Sequence, residues 1–135
     1  MAFEISVDFI LVGIDLDPNV ITDKLGIIPT KTFLAGDLIQ PKASPRWKRN
    51  GWMLESKIEK SAELEEHINS VFEQLQPGWY KLKDICQIYE ALIDCVVYTY
   101  EYIPAICFDK DIVQKAAELN AKIDVDIIIS STNLL

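Results

Sequence analysis

The sequence predicts an α+β fold: a single, largely antiparallel β-sheet with three or four helices packed on one of its faces. Two observations carry this prediction. Apolar residues alternate with a period of two in several short runs, which is typical of half-buried strands. Between those runs, apolar residues recur at helical spacing behind acidic or serine residues that can cap a helix. The predicted order of elements is β-α-β-α-α-β-β-α-β, which favours helices on one side of an antiparallel sheet.

The N-terminal part of the chain predicts a strand, a short helix and a long loop. Phe3–Val12 alternates apolar residues with a more mixed set. Asp17 is predicted to cap a helix that begins at Pro18 and stops at Gly26, because proline suits the first helical position and glycine the left-handed terminus. Residues 29–50 have little periodicity, and a loop of that length is typically functional or locally mobile.

The middle of the chain predicts a second strand and two helices. The strand is predicted at Trp52–Ile58, and the long helix at Ala62–Gln76, with Ser61 as its N-cap. The Pro77-Gly78 pair breaks that helix. A shorter helix is predicted at Trp79–Cys86.

The C-terminal part predicts three strands and one helix. Tyr89–Tyr100 is the strongest strand candidate in the chain because it is rich in Tyr, Ile, Val and Thr. A short strand is predicted at Pro104–Phe108. Asp109 or Asp111 is predicted to cap the next helix, and Lys122–Ser130 to form the last strand.

Length and charge set limits on the function. The chain has 135 residues, half of them hydrophobic, which predicts one domain over residues 1–135 that needs no disulfide or metal staple. The formal net charge is -8. Nucleic-acid binders usually carry a basic face, so we expect no nucleic-acid partner and a preference for cationic ones.

The cysteines and the N-terminus predict a cytoplasmic protein. Cys86, Cys95 and Cys107 have neither disulfide-framework nor zinc-site spacing. We expect free thiols packed as small apolar residues, in a reducing compartment. The first residues do not have the pattern of a signal peptide, and no apolar run approaches the roughly 20 residues of a membrane helix.

The chain shows no catalytic or cofactor motif. It has no Gly-rich phosphate loop and no GxSxG motif, so we expect no cofactor and favour a non-enzymatic role. His67 is the sole histidine. It is predicted to be a surface or boundary residue, and no residues at metal-ligand spacing accompany it.

Aspartates within the predicted strands form one candidate site. Asp124 and Asp126 share a face by the period-two rule, and Asp8 and Asp94 lie in other strands. If those strands are neighbours, the four carboxylates gather on one sheet surface, where an acid–base pair or a divalent cation is conceivable. The alternative is the solvent face of an antiparallel sheet.

A basic segment inside the long loop forms the other candidate site. Residues 42–52 contain both arginines of the protein and two of its three tryptophans. Arginine and tryptophan are over-represented in the energetic centres of interfaces. The candidate binding residues are Arg46, Trp47, Lys48, Arg49 and Trp52. The alternative is a solvated loop in which one tryptophan anchors the chain to the core.

A resemblance to a known family covers nearly the whole chain. Its most specific part is the pattern Asp17-Pro18, Ile21-Thr22, Leu25-Gly26 and Pro29-Thr30, supported by Gly36-Asp37 and Gly51-Trp52. Together these residues resemble the bacterial domain-of-unknown-function family 4279. The resemblance implies a bacterial origin and a small stand-alone protein, but no activity. In that family serine typically follows the tryptophan, where this chain has Met53.

Three hypotheses about function follow. The first is a non-enzymatic module that binds a protein partner through the 29–50 loop, for example an immunity-type protein that blocks a toxin. The second is a small-ligand binder or hydrolase-like enzyme that uses the carboxylates of the sheet. The third is a homodimer formed through an exposed strand edge.

Overall fold

The computed structural model describes residues 3–39, 45–100 and 102–130. It confirms the α+β prediction, with one five-stranded sheet and four α-helices among those residues. A 3-10 turn at Gln76–Gly78 joins the second helix to the third. The elements are β1 (Phe3–Gly13), α1 (Pro18–Leu25), β2 (Lys31–Phe33), β3 (Asn50–Glu55), α2 (Leu64–Leu75), α3 (Trp79–Ile85), β4 (Glu90–Thr99), α4 (Lys110–Glu118) and β5 (Ala121–Ile129).

The strands lie in the order β2-β3-β1-β4-β5. Three of the four pairings are antiparallel, as predicted, and the β4–β5 pairing is parallel. A parallel pair needs a crossover connection, which α4 supplies. The sheet is therefore mixed, with β1 at its centre.

The two faces of the sheet differ because strand side chains alternate. One face carries the apolar core, including Phe9, Trp52 and Ile93, against which the helices pack. None of the described helices packs on the other face, which we call the open face. Its residues include Ser6, Asp8, Ile10 and Val12 of β1, Gly51, Met53 and Glu55 of β3, Glu90, Leu92, Asp94, Val96 and Tyr98 of β4, and Lys122, Asp124 and Asp126 of β5.

The helix ends follow the predicted capping chemistry with one exception. The Asp17 carboxylate accepts a hydrogen bond from Asn19 N at 3.0 Å, and Gly26 has φ 67°. Asp109 caps α4 by accepting from Ile112 N at 3.2 Å. The predicted N-cap of α2 is wrong: the cap is Glu63, two residues after Ser61, and its N–H donates to the Glu66 carboxylate at 3.0 Å.

Two segments differ from the predicted strands. Residues 104–108 form no strand, because β1 and β5 already occupy both sides of β4. Ile106 and Phe108 pack against the core instead. Conversely, Lys31–Phe33 within the predicted loop forms β2 at the edge of the sheet. Residues 40–44 of that loop, Lys42 among them, lie outside the described residues.

The cysteines only partly match the prediction. Cys86 and Cys95 are buried, and burial raises the pKa of each thiol to about 12. Both are therefore poor nucleophiles at neutral pH. Cys107 is exposed, so its predicted place in the core is wrong, because the segment around it does not join the sheet. No helix in the described part of the chain has the length and apolar character needed to cross a membrane.

Candidate functional site

Carboxylates from four neighbouring strands line up across the open face. Asp8 lies opposite Asp94 in the β1–β4 register, and Asp94 lies beside Asp124 in the β4–β5 register. On the other side, Asp8 lies opposite Glu55 of β3. We call Glu55, Asp8, Asp94 and Asp124 the acidic row. Asp126 pairs with Val96 one position further along the same face, so the structure brings together all four aspartates singled out in the sequence.

Asp8 lies at the centre of this row and resists ionisation. Burial raises the pKa of its carboxyl to about 6, and the neighbouring Glu55 and Asp94 add to that rise. The Lys31 ammonium acts in the opposite direction. Desolvation and like charges both disfavour the carboxylate form, so Asp8 titrates at about pH 6.

The rest of the row is also poorly neutralised. The pKa of Asp94 is raised by burial and then by Asp126 and Asp124. Among the described residues, neither Asp8 nor Asp94 makes an ion pair, whereas Asp124 lies 3.9 Å from Lys122 Nζ. The described residues contain no group of three or more His, Cys, Asp or Glu placed to hold a metal ion. The row is thus a stripe of negative charge with little internal compensation.

The basic segment folds into a hairpin at one end of the open face. We call the described residues 34–39 and 45–49 the basic hairpin. Gly36 N donates to Trp47 O at 2.8 Å, and Trp47 N donates to Asp37 O at 2.9 Å. The Arg46 guanidinium donates to Gly36 O at 2.6 Å. These bonds give the segment a defined shape, although the sequence shows little periodicity there.

Trp47 anchors this hairpin to the sheet. Its ring stacks on Phe33, with centroids 3.8 Å apart and an interplanar angle of 17°. Phe33 lies opposite Gly51 of β3, and its ring occupies the space that a Cβ at Gly51 would need. Gly51 in turn pairs with Val12 of β1. The stack of Gly51, Phe33 and Trp47 therefore places the hairpin on the open face.

Ion pairs connect the hairpin with the acidic row. Arg49 Nη1 lies 2.9 Å from Glu90 Oε2, and Lys122 Nζ lies 3.9 Å from both Glu90 and Asp124. The Arg49 guanidinium lowers the pKa of Glu90. The two candidate sites identified separately in the sequence are thus parts of one continuous surface, with cations at one end and carboxylates across its middle.

The candidate binding residues have different environments. Arg46, Lys48 and Arg49 are exposed, and Trp47 is half-buried. Trp52 is fully buried at 0% exposure, and its indole N–H donates to Thr22 Oγ1 at 3.0 Å. Trp52 is a core residue that packs behind the sheet, so a partner on the surface does not reach it.

His67 is buried, which makes the predicted surface or boundary position wrong. The residue is 1% exposed, and its Nδ1 lies 2.7 Å from Ser56 Oγ. Burial lowers the pKa of His67, and the carbonyls of Glu59 and Lys60 and the carboxylates of Glu66 and Glu59 act in the opposite direction. Leu64, His67, Ile68 and Val71 have the spacing of one helix face, a signal in the sequence that could have located the histidine in the core.

The chain matches the model of a known protein family. The family model described as "Domain of unknown function (DUF4279)" matches residues 3–130. No curated protein and no solved structure matches the chain. The matched range contains every strand and helix of the fold, the acidic row and the basic hairpin. The chain therefore belongs to the DUF4279 family of domains of unknown function.

Proposed function

We propose that this protein is a non-enzymatic binding module, and that a protein with a basic surface docks on its open face. The observation that carries the proposal is the acidic row, in which Asp8 and Asp94 resist ionisation without an ion-pair partner among the described residues. A partner that places lysine or arginine side chains over the row removes that electrostatic cost. Complementary charge of this kind also accelerates and orients association.

The dimensions of the row favour a macromolecular partner over a small ligand. It crosses four neighbouring strands, so it extends roughly 14 Å at the usual strand spacing. Asp8, Asp94 and Asp124 line none of five well-formed cavities among the described residues. An extended, open stripe of charge suits a protein surface better than an enclosed substrate.

The surface beside the row has the other features of an interface. Ile10, Leu92 and Met53 adjoin in the strand register and form an apolar strip parallel to the acidic row. Apolar centres with charged borders are typical of protein interfaces. At the far end, the exposed Arg46 and Lys48 of the basic hairpin offer a contact for an acidic group, which would fix the orientation of the partner.

The negative charge of the chain favours a basic protein over a nucleic acid as the partner. The whole chain carries a net charge of -8, and the carboxylates of the open face repel nucleic-acid phosphates. A toxin with a basic surface, blocked by an immunity-type protein, is the concrete form that the size and acidity of the chain favour by analogy. In that form the protein inhibits the toxin by covering the toxin's basic surface.

Capture from host lysate with matched charge variants tests this proposal. The row variant Asp94→Lys/Asp124→Lys and the hairpin variant Arg46→Glu/Lys48→Glu alter the open face, and Glu73→Lys alters the exposed side of α2. We expect wild type and the α2 control to retain the same basic protein. The row variant should lose it, with a decrease in affinity of roughly tenfold or more.

Two further measurements test the same proposal: the dependence of binding on ionic strength, and the binding of the hairpin variant. Binding through exposed charges should weaken when the ionic strength rises from about 0.1 M to 1 M, because the screening length falls from roughly 10 Å to 3 Å. The hairpin variant should bind the same protein more weakly than wild type. Equal retention by all three variants and the wild type would exclude the open face as the docking surface.

One observation favours a second function, in which Asp8 and Asp94 act as an acid–base pair on a small ligand. A carboxyl with a pKa of about 6 suits general acid–base chemistry near neutral pH. Screening of small ligands by backbone-amide NMR tests it. Saturable shifts centred on Asp8 and Asp94 would support this function, and their absence would leave the docking proposal alone.

A further inference from the structure

The chain leaves an opening beside β1 where β3 ends. Ser56 N donates to Val7 O at 2.9 Å, and Ile5 N donates to Lys60 O at 2.8 Å. Between these two bonds β1 advances by two residues, from Val7 to Ile5. The segment opposite advances by four residues, from Ser56 to Lys60. The extra residues bulge away from the sheet, as in other irregular edges. The gap they leave connects the open face with the helix side of the sheet.

The floor of this opening is a buried polar pair. Ser56 Oγ lies 2.7 Å from His67 Nδ1, and the two residues are 8% and 1% exposed. His67 Nε2 is buried and makes no hydrogen bond with any described residue. A buried nitrogen without a partner is costly, and native proteins rarely leave one without a reason. Nothing in the proposed docking surface accounts for it.

A cavity of about 330 Å³ extends from the open face down to this pair. Ser6, Glu55 and Tyr98 line its outer part, and Ser56 and His67 line its inner part. Its volume lies at the small end of the range for ligand pockets. It therefore suits one side chain or a small molecule.

The lining favours a cation that can donate hydrogen bonds. Glu55 contributes a carboxylate at the rim, and the carbonyls of Glu59 and Lys60 lie near the imidazole. Burial lowers the pKa of His67, so the ring is neutral at neutral pH and one of its nitrogens is free to accept. Lys60 is the one cationic residue in the lining, and its charge opposes that of Glu55.

We propose that this cavity receives an ammonium or guanidinium group, namely a lysine or arginine side chain of the protein that docks on the open face. Glu55 pairs with the charge at the rim, and His67 Nε2 accepts a hydrogen bond at the floor. In that state Nδ1–H donates to Ser56 Oγ. The source of the cation rests on the proposed docking function, but the chemistry of the cavity is testable without the partner.

NMR of the sole histidine provides a direct assay. N-acetyl-lysine methylamide and N-acetyl-arginine methylamide are titrated into the full chain at pH 7.5. We expect saturable shifts of the His67 ring signals and ring-nitrogen shifts typical of the Nδ1–H tautomer. The uncharged N-acetyl-norleucine methylamide and acetate serve as control probes. Failure of both cationic probes to shift His67, or equal shifts with a control probe, would overturn the proposal.

Charge variants of the rim have opposite expected effects. Glu55→Gln should weaken binding of the cationic probes at least threefold, whereas Lys60→Gln should strengthen it. Asp23→Asn, on the exposed side of α1, is the matched control and should leave the affinity unchanged. An unchanged affinity in Glu55→Gln would overturn the assignment of the rim.

The complex with the captured partner protein tests whether the cation in the cavity is a side chain of that partner. If the partner inserts a side chain, its binding should shift the His67 ring signals and exclude the lysine probe. A partner that depends on the acidic row but leaves His67 unchanged would refute insertion while the docking function stands. If the cationic probes bind the cavity but no captured protein depends on the acidic row, docking is refuted and a small amine is the ligand of the cavity.

Discussion

Two residues with displaced pKa values make opposite contributions to stability. The pKa of Asp8 is raised to about 6, chiefly by burial, so folding favours its protonated form. The pKa of His67 is lowered, again chiefly by burial, so folding favours its neutral form. Asp8 therefore raises the free energy of unfolding as the pH falls through about 6. His67 lowers the free energy of unfolding as the pH falls below 6.5, the pKa of histidine in the unfolded chain.

Replacement of Asp8 should stabilise the fold at pH 7. In the unfolded chain Asp8 ionises above its ordinary pKa of 3.8, whereas in the folded chain it ionises only above a pKa of about 6. Asp8→Asn removes this penalty, so we expect a gain of about 1–2 kcal/mol after allowance for solvent screening. Urea unfolding at pH 7 and pH 4 measures it, and the gain should largely vanish at pH 4.

The control for this prediction lies at the end of the same row. Asp124→Asn removes a carboxylate that is exposed, and such changes usually alter stability by less than about 0.5 kcal/mol. A destabilised Asp8→Asn variant, or a gain that is the same at both pH values, would contradict the account of Asp8.

His67 gives the opposite pH dependence. The unfolded chain takes up a proton below pH 6.5 that the buried imidazole resists, so stability should decrease as the pH falls through that value. His67→Asn keeps a polar group near Ser56 but does not titrate. Urea unfolding between pH 7.5 and 5 compares the Asp8→Asn variant with the Asp8→Asn/His67→Asn double variant. Over this pH range the double variant should lose less free energy of unfolding. An equal loss in both variants would refute this account of His67.

At the scale of elements, the stack of Gly51, Phe33 and Trp47 connects the basic hairpin with the sheet. The Phe33 ring covers Gly51 because that position has no side chain, and Trp47 packs on the other side of the ring at 3.8 Å. A strand glycine often marks such a close approach. Three residues from separate parts of the chain thus determine where the hairpin lies.

Gly51→Ala should displace Phe33 and release the hairpin. A Cβ at this position collides with the Phe33 ring, and overpacking typically costs about 1–3 kcal/mol. Thermal unfolding measures the loss of stability. Trp47 fluorescence, obtained as the difference from a Trp47→Phe variant, should shift to longer wavelength; an unchanged emission would mean that the stack does not depend on Gly51.

The sequence predicts on which face of a strand a residue lies better than it predicts which strands are neighbours in the sheet. Alternation in β1 and β5 is enough to place Asp8, Asp124 and Asp126 on the polar side of a strand. The register that aligns Asp8 with Asp94 and Asp124 depends on strand order and on the parallel crossover, which periodicity does not encode. The contact between Ser56 and His67 joins the segment after β3 to α2 through tertiary packing, and for that reason no local motif reveals it.

On the scale of the whole molecule, the sheet separates the apolar core from the proposed docking surface. Helices and the apolar core occupy one face, and the polar open face is left to the acidic row, the basic hairpin and the mouth of the cavity. The half-buried carboxylates of Asp8 and Asp94 on this face cost stability, because burial and neighbouring carboxylates raise the pKa of each. In the proposed function, cationic side chains of the partner offset this cost.

Proton release on binding tests that central claim most directly. At pH 6 about half of Asp8 is protonated in the free protein, and a cationic partner over the row should lower its pKa and release up to roughly half a proton. Calorimetric titration of the captured partner in buffers of different ionisation enthalpy measures this at pH 6 and pH 8. We predict release at pH 6, little at pH 8, and much less release at pH 6 in Asp8→Asn than in the wild type. Binding with no proton exchange at pH 6, or with proton uptake, would contradict docking on the acidic row.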